Sequence, residues 1–256
     1  MISNIGTVFQ FTLLRYFLIA GVPFLIFYVF FRRRLNRNKI QQHKAGSRDF
    51  TREVFFSVMS SLLMSAEVAV VLFTPLRHHT LIYRHLHDYP IWWIPVSLFI
   101  SLIIHDTYFY WMHRAMHHPS LFRFVHLVHH RSVNPSPWAS YSFHFLEAVT
   151  EGGIVFVLVF ILPMNVLTLL FFTVVSFSIN VYGHLGYELM PRRLHGSWLF
   201  RVINTSVYHN LHHSKFNGNY SLYFRHWDRW MGTENPGYEA EYQRVQDQRF
   251  GCDPVR

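Results

Sequence analysis

Histidine is the residue type best placed to carry chemistry in this chain, with 19 copies among 256 residues. Nine of them fall in three clusters, here called boxes, in which histidines lie three or four residues apart. One HxxHH string is expected about 0.1 times per chain at this composition, and the chain has two. Box one comprises His113, His117 and His118; box two comprises His126, His129 and His130; box three comprises His209, His212 and His213.

The spacing within the boxes is suited to metal binding. Residues three and four apart lie on one face of a helix, with Cβ atoms about 5–6 Å apart, so each box can aim two or three imidazoles at one point. Neutral imidazole is a ligand for iron, zinc, copper and nickel. Even without His118, the other eight histidines of the three boxes exceed the needs of one tetrahedral zinc ion, so the sequence predicts a site for two metal ions.

Asp106 and Tyr110 continue the helical face of box one toward its N-terminal side. With His113 and His117 they fall at i, i+4, i+7 and i+11. On a continuous helix, Asp106 lies about 10 Å deeper than His113, at a depth where an acid needs a partner in the protein interior. The spacing therefore predicts that Asp106 and Tyr110 orient ligand histidines. A structural polar contact between helices explains these two residues equally well.

Single histidines carry less information than the boxes. His144 and His184 stand just outside apolar stretches, on the same predicted face of the membrane as the boxes. Each is a candidate ligand or near-site residue. His195 and His226 have no patterned companion, so we interpret them as surface or packing residues.

The boxes occur in a chain with the composition of a membrane protein. It is 51% hydrophobic and 18% aromatic but only 14% charged, whereas soluble domains are about 25% charged. Apolar blocks occupy residues 8–31, 54–76, 91–112 and 153–181. The first three exceed the roughly 20 residues that cross a hydrocarbon layer of about 30 Å, and the fourth is interrupted at Pro163.

The charge distribution predicts how these blocks are oriented. Arginines and lysines concentrate in residues 32–52, which predicts a cytosolic segment and needs no nucleic-acid partner. If residues 153–181 crossed the membrane once, box three would lie on the opposite side from boxes one and two, so we predict a hairpin that turns at Pro163. Its first arm, residues 153–162, is only about 15 Å of helix. Either this arm begins earlier, near Phe143, or it does not cross fully.

The predicted fold class is an all-α integral membrane bundle of about four membrane segments, the last a hairpin. No linker separates domains, so we expect a single membrane domain. Its parts are membrane helices in 1–112, boxes one and two in 113–151, the hairpin in 152–182, box three in 183–232 and a polar tail in 233–256. The single cysteine, Cys252, cannot form an internal disulfide, so nothing indicates an oxidising compartment.

Five stretches between Asp106 and Thr233 resemble the fatty acid hydroxylase and sterol desaturase superfamily of membrane di-iron enzymes. They are DTYFYWMHRAMHH, LFRFVHLVHHRSVNPSPW, SYSFHFLEA, HLGYELMP and YHNLHHSKFNGNYSLYFRHWDRWMGT. The order and spacing of the boxes agree with the family, as does the flanking NY…F…WD…GT pattern. The resemblance covers roughly half of the chain. It implies a helical membrane anchor and a cytosolic helical cap that holds two iron ions.

The resemblance also implies the ligands, position by position. His184, in the stretch HLGYE, matches a further ligand, and some members have a second histidine where this chain has Glu188. His144 is similar to a histidine of the sterol desaturase branch, although Phe145 replaces the proline usual there. Glu188, His144 and His118 are near-site candidates. The remaining matched ligand positions are His113, His117, His126, His129, His130, His209, His212 and His213.

The function implied by the resemblance is dioxygen-dependent hydroxylation or desaturation of a sterol, fatty acyl or sphingolipid-type substrate. A separate electron-donor protein is expected, because so short a chain shows no fused haem or flavin module. Zinc is expected to occupy the site in some purified preparations, since it binds nitrogen ligands more tightly than ferrous iron. Two alternatives are a membrane zinc hydrolase, which would lack the HExxH motif, and a non-enzymatic metal or haem carrier, for which ligands near the bilayer midplane are typical.

Overall fold

The computed structural model describes residues 2–43 and 45–251, so Lys44 of the basic segment and Cys252 lie outside the described residues. The described chain is mostly helical, as the sequence predicts. The helices are α1 (Ile2–Phe24), α2 (Ser47–Phe73), α3 (Trp93–Met116), α4 (Pro119–Val125), α5 (Leu127–His130), α6 (Phe145–Gly152), α7 (Ile154–Ile161), α8 (Val166–Gly183), α9 (Trp198–Val202), α10 (Ser206–Lys215), α11 (His226–Trp230) and α12 (Tyr238–Phe250). Two short strands, β1 (Ile82–Tyr83) and β2 (Met164–Asn165), pair in parallel.

Within the described ranges, three helices are long and apolar enough to cross a membrane: α1 with the π-helical turn that extends it to Phe30, α2, and α8. The third predicted span is not among them. The second half of α3 carries polar side chains such as Asp106, Tyr110 and His113, which are buried against other protein elements rather than exposed to lipid. This half of the helix therefore builds the site instead of contributing apolar length.

Small polar residues on α2 allow the membrane helices to pack closely. Ser57 and Ser65 are buried, as are the neighbouring serines of the same face. The Ser65 hydroxyl lies 3.2 Å from the Thr12 hydroxyl of α1, and the Ser57 hydroxyl donates to the Trp138 carbonyl at 2.8 Å. Small residues and interhelical hydrogen bonds are the usual means of association where lipid removes the hydrophobic driving force.

The predicted hairpin has a longer first arm than the apolar block suggests. α6 and α7 follow one another with only Gly153 between them, so the arm begins at Phe145, close to the earlier of the two starting points considered. Together they span about 25 Å at 1.5 Å per residue. The chain then turns through residues 162–165 into α8.

The hairpin turn and the loop between α2 and α3 lie on the same side of the bundle. β1 in that loop pairs with β2 in the turn, with Ile82 opposite Met164. The Trp93 indole N–H also donates to the Pro163 carbonyl at 2.9 Å. Because α3 and α8 both start at this end, box one and His184 lie together at the opposite end.

The end of the bundle that carries the boxes is covered by a cap made of α4, α5, α9–α12 and residues 36–43. The backbone N–H of Ile40 donates to the Gly186 carbonyl at 3.1 Å, and that of Glu188 donates to the Asn38 carbonyl at 2.8 Å. The segment between α1 and α2, which carries the basic residues, therefore lies on the same side as the boxes.

The segment predicted to be a polar tail, residues 233–256, contains a packed helix. Residues 238–250 form α12, which packs against α10. Tyr238, Tyr242 and Val245 recur at i, i+4 and i+7, and all three are buried in a cluster with Phe200 and Tyr208. The tail's high content of charged residues concealed this narrow apolar face.

Candidate metal centre

The structure brings all nine predicted metal-binding histidines together in two neighbouring groups. Within each group, one nitrogen from every histidine lies within 4.8 Å of the others. The centroids of the His130 and His213 rings, one from each group, are only 4.9 Å apart. The first group comprises His113, His117, His126, His130 and His212, and the second group comprises His129, His184, His209 and His213.

The groups do not coincide with the boxes, because each HxxHH box serves both groups. In box two, His126 and His130 enter the first group while His129 enters the second. Box three does the reverse: His212 joins the first group, and the i, i+4 pair that flanks it joins the second. Residues four apart share a helix face, whereas adjacent residues point about 100° apart. One short helix can therefore supply ligands to two ions.

Local structure explains where the box histidines are held. Box one lies at the C-terminal end of α3, and box two comprises His126, which separates α4 from α5, and two histidines on the short α5. Box three lies on α10, which starts where the Thr205 hydroxyl accepts the Tyr208 N–H at 3.3 Å and ends where Phe216 adopts φ +61°. His184 is the residue that ends α8.

Hydrogen bonds fix the orientation of two imidazoles in the second group. Nδ1 of His184 lies 2.8 Å from the Asn180 carbonyl, and Nδ1 of His213 lies 3.0 Å from the Ser132 carbonyl. A carbonyl only accepts, so both Nδ1 atoms carry the hydrogen and both Nε2 atoms present lone pairs. These Nε2 atoms are 3.2 Å apart. Two lone pairs at this distance repel unless a cation lies between them.

The first group has the same arrangement with different partners. Nδ1 of His113 lies 2.8 Å from the Tyr220 carbonyl, and Nδ1 of His126 lies 2.7 Å from a carboxylate oxygen of Glu147. The Tyr220 carbonyl places the hydrogen of His113 on Nδ1, and ionised Glu147 does the same for His126, yet the two Nε2 atoms are 3.0 Å apart. Nδ1 of His212 donates to the Gly218 carbonyl at 2.7 Å, and its buried Nε2 has no hydrogen-bond partner among the described residues.

These residues fit metal ions. Two ligand nitrogens on one ion, each at about 2.0–2.1 Å, are separated by roughly 3.0–3.4 Å. The Nε2 atoms of His184, His209 and His213 are 3.1–3.2 Å from one another, and those of His117 and His130 are 3.1 Å apart. Imidazole-only donor sets suit zinc, iron, copper and nickel rather than magnesium or calcium.

The electrostatics keep the cap histidines neutral, as ligands must be. Burial lowers the pKa of His212 to about 4. Burial, reinforced by neighbouring histidines, holds the pKa of His213 and of His126 well below the usual value. Neutral imidazoles at pH 7 have their Nε2 lone pairs available, so a metal ion does not have to displace protons from them.

Asp106 and Tyr110 lie beside the site, and their described hydrogen bonds go to groups other than the ligand histidines. Asp106 accepts hydrogen bonds from backbone N–H groups of residues 222–224. The Tyr110 hydroxyl lies 3.0 Å from the Thr233 hydroxyl and accepts from Arg114 at 3.1 Å. Asp106 therefore holds the loop after box three, whereas Tyr110 contacts Thr233, which follows α11.

The remaining near-site candidates have other partners. His118 is exposed, and its Nδ1 caps α4 by accepting the Ser120 N–H. His144 similarly caps α6. Glu188 is buried, and its carboxylate accepts the N–H of Val207 at 3.1 Å, which anchors the start of α10. These three residues do not belong to either histidine group within the described chain.

Sequence reasoning missed Glu147 and Asp228 as supporting residues. Glu147 is fully buried beside His126, and Asp228 is fully buried beneath the loop after box three. An acid in the apolar stretch SYSFHFLEA was the available signal for Glu147. Four of the histidines are oriented by backbone carbonyls, which every residue type has, so the sequence carries no signal for these contacts.

Comparison with known proteins agrees with this site. The family model described as fatty acid hydroxylase matches residues 98–233, slightly more than half of the chain. The matched region contains all three boxes and His184. No solved structure matches the chain.

Several curated proteins are similar over most of the chain. The Delta(7)-sterol 5(6)-desaturase ERG3B of Gibberella zeae is 30% identical over 82% of this chain and 62% of its own length. The lathosterol oxidase of Rattus norvegicus is 30% identical over 72% of this chain and 60% of its own length. A Delta(7)-sterol 5(6)-desaturase of Aspergillus fumigatus is 28% identical over 82% of this chain and 69% of its own length. The chain thus spans about 60–70% of the length of these relatives. The matches confirm the resemblance seen in the sequence, and the chain belongs to the fatty acid hydroxylase family.

Proposed function

We propose that this protein is a membrane di-iron oxidase that uses dioxygen to hydroxylate or desaturate a C–H position of a lipid. The observation that carries the proposal is the convergence of nine histidines in two adjacent groups, with lone pairs facing one another. The short distance between the groups supports two metal ions that act on one substrate. Membership of a family of lipid-oxidising enzymes supports the reaction class.

The reaction needs chemistry that side chains do not supply. When bound, a pair of iron ions would supply dioxygen activation and hydrogen removal from an unactivated C–H bond, which lie beyond ordinary acid–base groups. Hydroxylation consumes one dioxygen, two electrons and two protons, and gives an alcohol and one water. Desaturation consumes the same reactants and gives an alkene and two waters. We propose that a separate electron-donor protein supplies the electrons.

The chain's own residues hold the ions and orient their ligands. The carbonyls and the Glu147 carboxylate keep the hydrogen on Nδ1, so that Nε2 stays available for metal. Apolar rings lie directly against the groups: Phe109 is 4.9 Å from the His113 ring, and Phe143 is 5.2 Å from the His129 ring, centroid to centroid. Both rings are buried and help exclude water from the site.

A sterol is the substrate class that we propose first. The relatives described above are named for oxidation of sterols. Fatty acyl and sphingolipid-type substrates remain the alternatives within the family's chemistry. We propose that the substrate enters from the bilayer, because the site lies at the end of helices that are long and apolar enough to cross it.

We further propose that the site faces the cytosol. The basic segment after α1 carries the charge bias of a cytosolic loop. The contact of Gln41 with the box-three helix supports the same side for both, since its side-chain amide donates to Asn210 at 2.8 Å.

The experiment is expression in a host strain that lacks its own sterol 5(6)-desaturase, followed by lipid mass spectrometry. We expect an oxygen-dependent product that has gained one oxygen atom or lost two hydrogen atoms. His129→Ala and His212→Ala, one from each group, should abolish this product. His195→Ala is the matched control, because this exposed histidine lies outside both groups and should leave turnover intact.

Metal analysis separates the oxidase from a hydrolase or a carrier. Protein purified without oxygen should contain about two iron ions per chain and should consume oxygen when reductant and lipid are added. The proposed function would be contradicted if either alanine variant still formed the oxidised lipid. It would also be contradicted if the protein bound metal but consumed no oxygen under these conditions.

A further inference from the structure

Residues 218–224, here called the carbonyl loop, connect box three to α11 without forming a helix or a named strand. Nevertheless, every backbone N–H from Asn219 to Phe224 donates a hydrogen bond. That of Asn219 donates to the Thr233 carbonyl, and the following ones donate to two buried aspartates. A loop with six consecutive N–H groups paired to buried acceptors has little freedom to move.

Asp228 holds the first part of the carbonyl loop. Its side chain is fully buried, and its two oxygens accept the N–H groups of Tyr220 at 2.9 Å and Ser221 at 2.8 Å. The Thr233 hydroxyl donates to the same carboxylate at 2.7 Å. Hydrogen bonds to an ionised acceptor are stronger than neutral ones. Asp228 therefore ties the loop to the segment that follows α11.

Asp106 holds the second part of the loop from the opposite direction. One of its carboxylate oxygens accepts the three N–H groups of residues 222–224, at 2.6–3.3 Å. Asp106 lies on α3, less than two helical turns before His113. The loop is therefore held on two sides, by Asp106 of α3, the helix that carries box one, and by Asp228 of α11.

The carbonyls of this loop orient two ligands of the first group. The Tyr220 carbonyl accepts from His113, and the Gly218 carbonyl accepts from His212. The peptide unit between Tyr220 and Ser221 is rigid and planar, so its carbonyl and its N–H point in opposite directions. Asp228 accepts from the Ser221 N–H of this peptide, and His113 donates to its Tyr220 carbonyl.

The second group uses no part of the carbonyl loop for its described Nδ1 contacts. His184 donates to Asn180 within α8, and His213 donates to Ser132 after box two. We propose that Asp228 is a positioning residue that acts, through the peptide between Tyr220 and Ser221, on the first metal position alone. The inference rests on the proposed metal centre, but it concerns metal retention rather than lipid turnover.

The test is Asp228→Asn in detergent-purified full-length protein loaded anaerobically with ferrous iron, and separately with zinc. Asparagine has one acceptor oxygen, so one of the two N–H groups loses its partner and meets an NH₂ group instead. Loss of such outer contacts typically lowers metal affinity about 10–100-fold. After a chelator challenge, metal content should fall from two ions per chain to one.

Assigning the lost ion requires double variants. His113→Ala should add little to Asp228→Asn, because both affect the first group, whereas His184→Ala should remove the remaining ion. Asp247→Asn is the matched control: it alters an acid of α12 whose partners are Arg192 and Gln243, and it should keep both ions.

Thr233→Val keeps the test decisive if Asp228→Asn folds poorly. It removes one hydroxyl donor to Asp228 while the backbone contact to Asn219 remains, and it should weaken retention of the first ion by a smaller factor. Retention of both ions in folded Asp228→Asn protein, or equal loss of both, would overturn the proposal. A wild-type protein that binds fewer than two ions would instead contradict the proposed function.

Discussion

The two histidine groups are close neighbours but are supported in different ways. The second group has four buried histidines, and one of its orienting carbonyls, that of Asn180, belongs to the same helix as the residue it orients. The first group has five histidines and depends on a carboxylate from α6 and on two carbonyls of an irregular loop. The second group is therefore supported partly within one helix and partly by the Ser132 carbonyl, whereas all described support of the first comes from other segments.

This difference indicates how each group should respond to damage. A group with four ligands has no spare imidazole, but one of its ligands is oriented within its own helix. A group with five ligands retains its ion more readily after the loss of one, although turnover is lost, and it is sensitive to shifts in the loop and in α6. Variants that change one feature at a time can separate the two effects.

The largest effect is expected from removal of a ligand in the smaller group. His184→Ala leaves three histidines in the second group, whereas His130→Ala leaves four in the first. We expect His184→Ala to lose one ion completely and to lower lipid oxidation beyond the roughly 100-fold cost typical of outer contacts. His130→Ala should retain partial occupancy of the first position. Elemental analysis measures the metal content of both variants. Equal metal loss would contradict the expectation that the group with five histidines retains its ion better than the group with four.

A smaller, selective effect is expected from Glu147. In Glu147→Gln, an amide oxygen can still accept from His126, but the hydrogen bond loses its charge. Affinity for the first ion should fall about 10-fold, and toward 100-fold in Glu147→Leu. Glu151→Gln is the control, because this acid lies one turn further along α6 and has no hydrogen bond to a histidine within the described chain. Chelator competition that shows weakening of the second ion instead would contradict the assignment.

The smallest effect is expected from the backbone of the carbonyl loop. Gly218 and Gly196 both have positive φ, +76° and +81°, so alanine at either position costs about 1–2 kcal/mol. A Cβ at Gly218 would also lie 2.6 Å from the Thr233 carbonyl oxygen, whereas one at Gly196 meets nothing within 4 Å. Gly218→Ala should therefore melt at a lower temperature than Gly196→Ala and should lose the first ion sooner. Identical melting and metal retention would show that the loop adapts without consequence.

Much of the architecture was predictable because it depends on periodicity. Apolar length identified the helices of the bundle, and the i, i+3 and i+4 spacing of the boxes indicated a common site. The need to keep all boxes on one side predicted a hairpin at Pro163, and the chain turns there, through residues 162–165 between α7 and α8. The apolar length of α3 was overestimated, because its second half carries polar side chains that are buried against protein. The helix at 238–250 was missed, because its charged residues concealed a narrow apolar face.

The sequence by itself determined that this is a helical membrane protein whose histidines are spaced to bind metal. Tertiary structure alone decided which histidine joins which group, because adjacent imidazoles on a short helix can point to either ion. It also decided what orients them, since four of the five described Nδ1 partners are backbone carbonyls, which every residue type possesses. A carbonyl's direction is set by the fold of its peptide, so no pattern of side chains could have revealed it.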